Sequence, residues 1–91
     1  MPEIVFVPDP NITEEEVAEW RKRRGYPPNA EIMRRGESAN VVKHSKRTVD
    51  RWEAKGLFPR SVRLPGGGRG DFIDDVARWA IALARRHDAA A

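Results

Sequence analysis

Glycine and proline set the ends of nearly every element this 91-residue chain can form. Pro8 and Pro10 close an apolar, β-branched run, Ile4-Val5-Phe6-Val7, which reads as one strand or an extended arm. Gly25, followed by Pro27-Pro28, stops a helix and prevents its return. Gly56 ends another, and Pro65-Gly66-Gly67-Gly68-Arg69-Gly70 reads as a flexible tip. A chain of this length buries only about 60–65% of the surface its unfolded form exposes. That supports one modest core in one domain. A deep substrate cleft between two lobes is excluded by size.

The first helix is marked at both ends. Thr13 caps it, and Glu16 stands three positions on, the spacing of a capping box. Ile12 before the cap and Val17 after the first turn form a hydrophobic staple. Glu14, Glu15 and Glu16 lie at the positive end of the helix dipole; Arg21, Lys22, Arg23 and Arg24 lie at the negative end. That placement, with Glu19 four before Arg23, accounts for the basic run without a nucleic acid. Val17 and Trp20 give a narrow apolar stripe. Residues 30–43 read as a second helix through Ile32, Met33, Ala39, Val41 and Val42, weakened or split at Gly36. His44-Ser45 is a turn with a capping residue, and 46–55 is a short third helix. Ser61-Val62-Arg63-Leu64 reads as a strand leading to the glycine tip. Asp71 then caps the last helix, with Asp74 at its third position. Phe72, Ile73, Val76, Trp79, Ala80, Leu83 and His87 share one face at helical spacing, the strongest amphipathic signal in the chain. Ile81 falls on the opposite face among Asp74, Arg78 and Arg85, where it meets the N-terminal arm, another molecule, or nothing.

Charge is unevenly placed. Residues 1–30 carry four basic and six acidic side chains, residues 31–70 ten and four, and residues 71–91 three and four. The formal +3 of the whole therefore conceals +6 in the middle segment. Concentrated positive charge points to an anionic partner, most often nucleic acid, or to a solvated basic face; charge alone does not separate them. No apolar run approaches the length of a membrane span, and Met-Pro-Glu-Ile lacks the basic-then-apolar pattern of a signal peptide. Cys is absent, which removes disulfides, thiolate nucleophiles and cysteine zinc sites. A small secreted domain usually needs such staples, so the chain reads as cytoplasmic, with no membrane partner.

The third helix carries the functional expectation. Val49 and Trp52 point toward a core, while Arg47, Asp50, Arg51 and Ala54 point away from it. Two arginines four apart on an exposed face repel by a few tenths of a kcal/mol, which Asp50 beside them moderates. Ala54 is small and lets a surface approach closely. Lys46 and Thr48 flank the first turn, whose free N–H groups mark the end of a recognition helix that touches base edges and phosphates. An arginine can grip guanine through two hydrogen bonds, worth about 1–3 kcal/mol of discrimination.

Element order sharpens this reading. A helix, a short turn, a basic helix, then a strand, a glycine tip and a strand or helix is the plan of a winged helix-turn-helix. The expected fold is therefore mainly α, a winged helix-turn-helix with a small β-hairpin wing. Residues 1–30 form a strand-plus-helix extension on a 31–91 DNA-binding domain, in one compact domain overall. A tip without side chains can press its backbone against phosphates, and Arg63 and Arg69 at its base can bind phosphate or enter a minor groove.

From Ser45 the chain reads Ser-Lys-Arg-Thr-Val-Asp-Arg-Trp-Glu-Ala-Lys-Gly-Leu-Phe-Pro-Arg-Ser-Val-Arg-Leu, and Asp75-Val76-Ala77-Arg78-Trp79 follows later. This resembles the excisionase and AlpA-type regulators within the MerR-like winged helix-turn-helix group. Their pattern runs Ser-x-x-Thr, a hydrophobe, Arg, an aromatic, Gly, Phe-Pro, a basic strand and an acidic–Val–x–x–Trp helix. The resemblance covers about residues 33–84. It implies that Ser45, Lys46, Arg47, Thr48 and Arg51 contact the major groove. It further implies that the 63–69 hairpin, with Arg63, Gly67, Gly68 and Arg69, acts as the wing. The family usually has Gly where Lys43 stands and an apolar residue where His44 stands. Its aromatic after the wing lies five residues before the helix Val, whereas Phe72 lies four before Val76. Residues 1–30 have no counterpart in its short members.

The function so implied is sequence-directed binding of double-stranded DNA. One form is a phage or mobile-element excision factor, a recombination directionality factor that bends DNA and assists an integrase. Another is a transcription regulator that uses the same domain near RNA polymerase. A reading of a different class is a protein-interaction adaptor whose basic face meets an acidic protein. One copy covers few base pairs, so self-association on DNA is expected. No enzyme is expected: no Ser–His–Asp order stands out, and Asp50 and Glu53 read as tuning charges rather than catalytic acids. The glycines of the tip lack the Gly-Lys-Ser/Thr of a phosphate loop. His44 and His87 lie apart without metal-ligand partners, so neither metal nor cofactor is expected. Arg69-Gly70-Asp71 matches an integrin tripeptide by coincidence. Trp20, Trp52 and Trp79 lie on apolar stripes and read as core before they read as platforms for single-stranded nucleic acid.

Overall fold

The computed structural model describes residues 9–90, with side chains to Arg86. The Ile4–Val7 strand and the side chain of His87 lie outside the described residues. Among these residues the order of elements is α1 (Glu14–Arg23), β1 (Ile32–Arg34), α2 (Arg35–Val42), α3 (Lys46–Ala54), β2 (Val62–Arg63), β3 (Arg69–Phe72) and α4 (Ile73–Ala90). Helices dominate, and the strands make one antiparallel sheet in the order β1-β3-β2. None of the described helices is long and apolar enough to cross a membrane.

The start of α1 follows the local code. The Glu16 amide donates to the Thr13 hydroxyl at 3.2 Å, and the Thr13 amide donates to the Glu16 carboxylate at 2.9 Å. Ile12 and Val17 are both buried, as a staple requires. The helix then lies along α4. Arg21 pairs with Asp74 at 2.8 Å, Arg78 donates to the Ile12 carbonyl and to Glu14, and Arg85 pairs with Glu16. Arg21 also donates to the carbonyls of Pro27 and Ala30, fixing the chain that leaves the helix. Ile81, on the α4 face that carries these arginines, is half-buried and packed against the core. The basic run at the end of α1 is thus partly consumed inside the fold, Arg23 pairing with Glu19 at 3.9 Å.

Two boundaries differ from the sequence reading. Residues 30–43 are not one helix. Ile32, Met33 and Arg34 form a strand opposite Phe72, Asp71 and Gly70 of β3. The helical reading counted Ile32 and Met33 on one apolar stripe. In the strand they alternate, Met33 inward and Ile32 outward at 41% exposure. Gly36 then falls in the first turn of α2 and splits nothing. Asp71 does not cap α4. It lies in β3, 1% exposed, and the first amide of α4, Ile73, donates instead to the Glu31 carbonyl at 2.9 Å. Phe72 accordingly faces outward from the sheet rather than along the α4 stripe.

The core gathers Val17 and Trp20 from α1, Met33 from β1, Ala39 from α2, Val49 from α3, Phe58, and Ile73, Val76 and Ala77 from α4. Every helix contributes, so none packs independently. Gly70, in the central strand, is tightly flanked by its neighbours. A Cβ there would stand 2.6 Å from Ile32 Cγ2 and 3.1 Å from Leu64 Cδ2.

The turn between α2 and α3 is three residues, Lys43 to Ser45. Lys43 takes φ 59°, ψ 43°, the left-handed conformation that ends a helix, and the His44 amide donates to the Ala39 carbonyl at 3.0 Å. A side chain in that region costs about 1–2 kcal/mol that glycine does not incur. Lys43→Gly is therefore expected to stabilise the chain by about 1 kcal/mol. Urea unfolding measures it as a raised midpoint at unchanged slope; an unchanged or lowered midpoint would show that the lysine makes compensating contacts.

Candidate nucleic-acid interface

The N-terminus of α3 is built by its own side chains. Ser45 has extended backbone, its hydroxyl accepts from the Thr48 amide at 3.2 Å, and the two hydroxyls lie 3.0 Å apart. Both residues thus hold the first turn in shape. Lys46, Arg47 and Arg51 are exposed along the helix, and Val49 beneath them is fully buried. Among the described residues, no carboxylate lies within ion-pairing distance of Arg47 or Arg51.

The acids of the same helix are both engaged by one arginine, Glu53 largely covered and Asp50 half exposed. Asp50, its side chain 55% exposed, forms no ion pair with Arg47 or Arg51. It accepts from Arg35 Nη1 at 2.7 Å. Arg35, at the start of α2, is 3% exposed and is the centre of a buried hub. Its Nε and Nη2 grip Asp71 of β3 at 3.0 and 2.9 Å, and Nη2 also donates to Glu53. Ser38 donates to Asp71 at 2.6 Å, and the guanidinium stands 5.7 Å from the centre of the Phe58 ring. One planar cation therefore joins α2, α3 and β3. Every buried side-chain polar atom among the described residues has a partner, so the hub is fully satisfied.

The hairpin of β2 and β3 is tied to α3 through the same acid. Glu53 accepts from the Ser61 hydroxyl at 2.9 Å and amide at 3.2 Å, and Arg69 reaches Ser61 at 3.2 Å and Glu53 at 3.6 Å. Arg69 is thus half-committed to the fold, whereas Arg63, directly across from it in register, is exposed. Gly67 and Gly68 lie at the exposed tip, with Gly66, all at positive φ. Arg34 reaches toward them, its Nη1 4.0 Å from where a Cβ on Gly68 would stand. Like charges opposed across a ladder destabilise it. Arg63, Arg69 and Arg34 thus gather three guanidinium groups near one bare tip, Arg69 partly countered by Glu53.

Sequence reasoning missed Arg34, Arg35, Glu53 and Asp71 as parts of this arrangement. For Arg34 and Arg35 a strand ending in an arginine, with a second arginine opening the next helix, was the available signal, hidden by the helical reading of 30–43. For Asp71 the local cap pattern was the stronger signal and the wrong one.

Burial pushes the Glu53 carboxyl up, but hydrogen bonds from Arg35 and Ser61 outweigh it and hold the group below its ordinary value of 4.5. A depressed acid stabilises the fold above its unfolded pKa, and that contribution disappears as pH falls through the folded value. Stability is therefore expected to drop with acidification below 4.5, and Glu53→Gln to flatten that drop while costing about 1.5–3 kcal/mol near neutrality. Urea midpoints across the acid range measure both; parallel curves for the two proteins would remove Glu53 from the linkage.

No family model, curated protein or solved structure matches the chain.

Proposed function

We propose that the chain is a winged helix-turn-helix that binds double-stranded DNA, with α3 in the major groove and the β2–β3 hairpin as the wing. One observation carries the reading: α3 presents Arg47 and Arg51 outward while its two acids, Asp50 and Glu53, bond to the buried Arg35. The exposed face carries Arg47 and Arg51 with one carboxylate, Asp50, whose charge is countered by Arg35, on a helix whose N-terminus is capped but open to a phosphate. Lys46, Ser45 and Thr48 flank that end. Arg63, Arg69 and the backbone of Gly67 and Gly68 meet the sugar-phosphate strand beside it. The resemblance of residues 33–84 to excisionase and AlpA-type regulators supports the same assignment and favours an excision factor of a phage or mobile element. Its copies assemble side by side on DNA, since one covers few base pairs.

The test is ionic. Five cations, Lys46, Arg47, Arg51, Arg63 and Arg69, meeting phosphate or base imply that log affinity falls with log salt at a slope of up to about −4.5. Affinity that ignores salt would sink the reading and favour a protein adaptor. Sharp bending in a permuted-site gel assay is the expected result for an excision factor. Promoter control without bending would assign the same domain to transcription regulation.

A further inference from the structure

An open groove of about 670 Å³ runs between the α2–α3 turn and α4, apart from the cationic face of α3. Trp52 of α3 and Trp79 of α4 form its aromatic wall, ring centres 5.7 Å apart and inclined at 32°. His44 packs edge-on to Trp52 at 4.7 Å, and Leu83 is left 48% exposed at the lip. Two cations stand at the rim, Arg24 and Arg86. Arg24 is held over the Trp20 ring at 5.2 Å. Among the described residues, no carboxylate lies within ion-pairing distance of either.

Volume and lining are those of a small-molecule site, which typically measures about 300–1,000 Å³ with apolar walls and a few polar groups. Indole faces favour a flat ring set against them. Guanidinium groups without a carboxylate partner among the described residues, set beside an apolar wall, favour a negative charge at the edge of that ring. A second protein chain would need to bury about 800 Å² on each side, far more than the lining of this groove exposes. We propose that this groove binds a flat aromatic anion, its ring against Trp52 and Trp79 and its charged group toward Arg24 and Arg86.

The probe is anilinonaphthalene sulfonate, titrated into the full chain and followed by its own fluorescence and by tryptophan quenching. Saturable one-to-one binding is expected, with the uncharged phenylnaphthylamine bound at least about tenfold more weakly. Arg24→Ala and Arg86→Ala should each weaken the sulfonate by about 3- to 10-fold. Leu83→Asp should abolish most of the binding. All three positions are exposed, and unchanged thermal melting verifies that the fold survives. Binding that does not saturate, that treats the neutral compound alike, or that survives both arginine replacements overturns the proposal. So does a dimer in sedimentation that Leu83→Asp disperses, since the groove would then belong to a second copy.

Discussion

Replacing Arg35 with methionine lowers stability by about 3–5 kcal/mol, the cost of leaving a buried charge without its partner. Asp71, 1% exposed, loses both of its bonds to the guanidinium and keeps only Ser38. Asp50 loses its bond to the guanidinium, and Glu53 keeps only Ser61 and Arg69. Domains of this kind are stable by roughly 0.05–0.15 kcal/mol per residue, or about 5–14 kcal/mol here, so the variant stands near the edge of folding. Lysine in its place does not rescue it, because a point charge cannot span two carboxylate oxygens and reach two more acids. Arg35→Met with Asp71→Leu should recover a large part of the loss, since apolar replacement of a whole buried pair is often neutral or better. Urea unfolding decides. A loss under about 1 kcal/mol for the single variant would mean that the hub is solvated and holds nothing together.

Alanine at position 47 or 51 is expected to cost about 1–3 kcal/mol of specific DNA binding, roughly 5- to 150-fold. On a random duplex the same change removes one phosphate contact and about 0.9 from the salt slope. Neither guanidinium has a carboxylate partner among the described residues, so thermal stability should be unchanged. Arg69→Ala is a different experiment, because it also frees Glu53 from a 3.6 Å contact and alters the hairpin's tie to α3. Arg23→Ala, at the end of α1, serves as a control. Anisotropy titrations on a selected and a scrambled duplex read the contrast. Equal losses on both would assign Arg47 and Arg51 to the backbone rather than to bases.

The contrast between α1 and β1 shows where the chain was legible. Thr13, Glu16, Ile12 and Val17 act within five residues of one another, and local spacing found them. β1 has three residues and draws its identity from β3, thirty-eight positions away, so no local window could hold the signal. The candidate site divides likewise. Arg47, Arg51 and Arg63 were found as exposed cations by periodicity and position. The hub was not, because Asp71 satisfies the pattern of a helix cap, whereas its strand partner Met33 and its side-chain partners Arg35 and Ser38 all lie far away in the chain. Asp50 was placed on the outward face, which is correct for its backbone; its carboxylate nonetheless reaches back to Arg35.

The bare tip has a chemical corollary. Gly66 and Gly67 take φ of 83° and 103°, and an added Cβ would meet nothing within 4 Å at either. They supply handedness rather than room. A mirror-image alanine has that backbone preference and lacks the freedom of glycine in the unfolded chain. Ninety-one residues without cysteine lie within reach of chemical ligation through introduced thiols. D-alanine at 66 and 67 matches the sign of both φ angles and would narrow the choices of the unfolded chain at the tip.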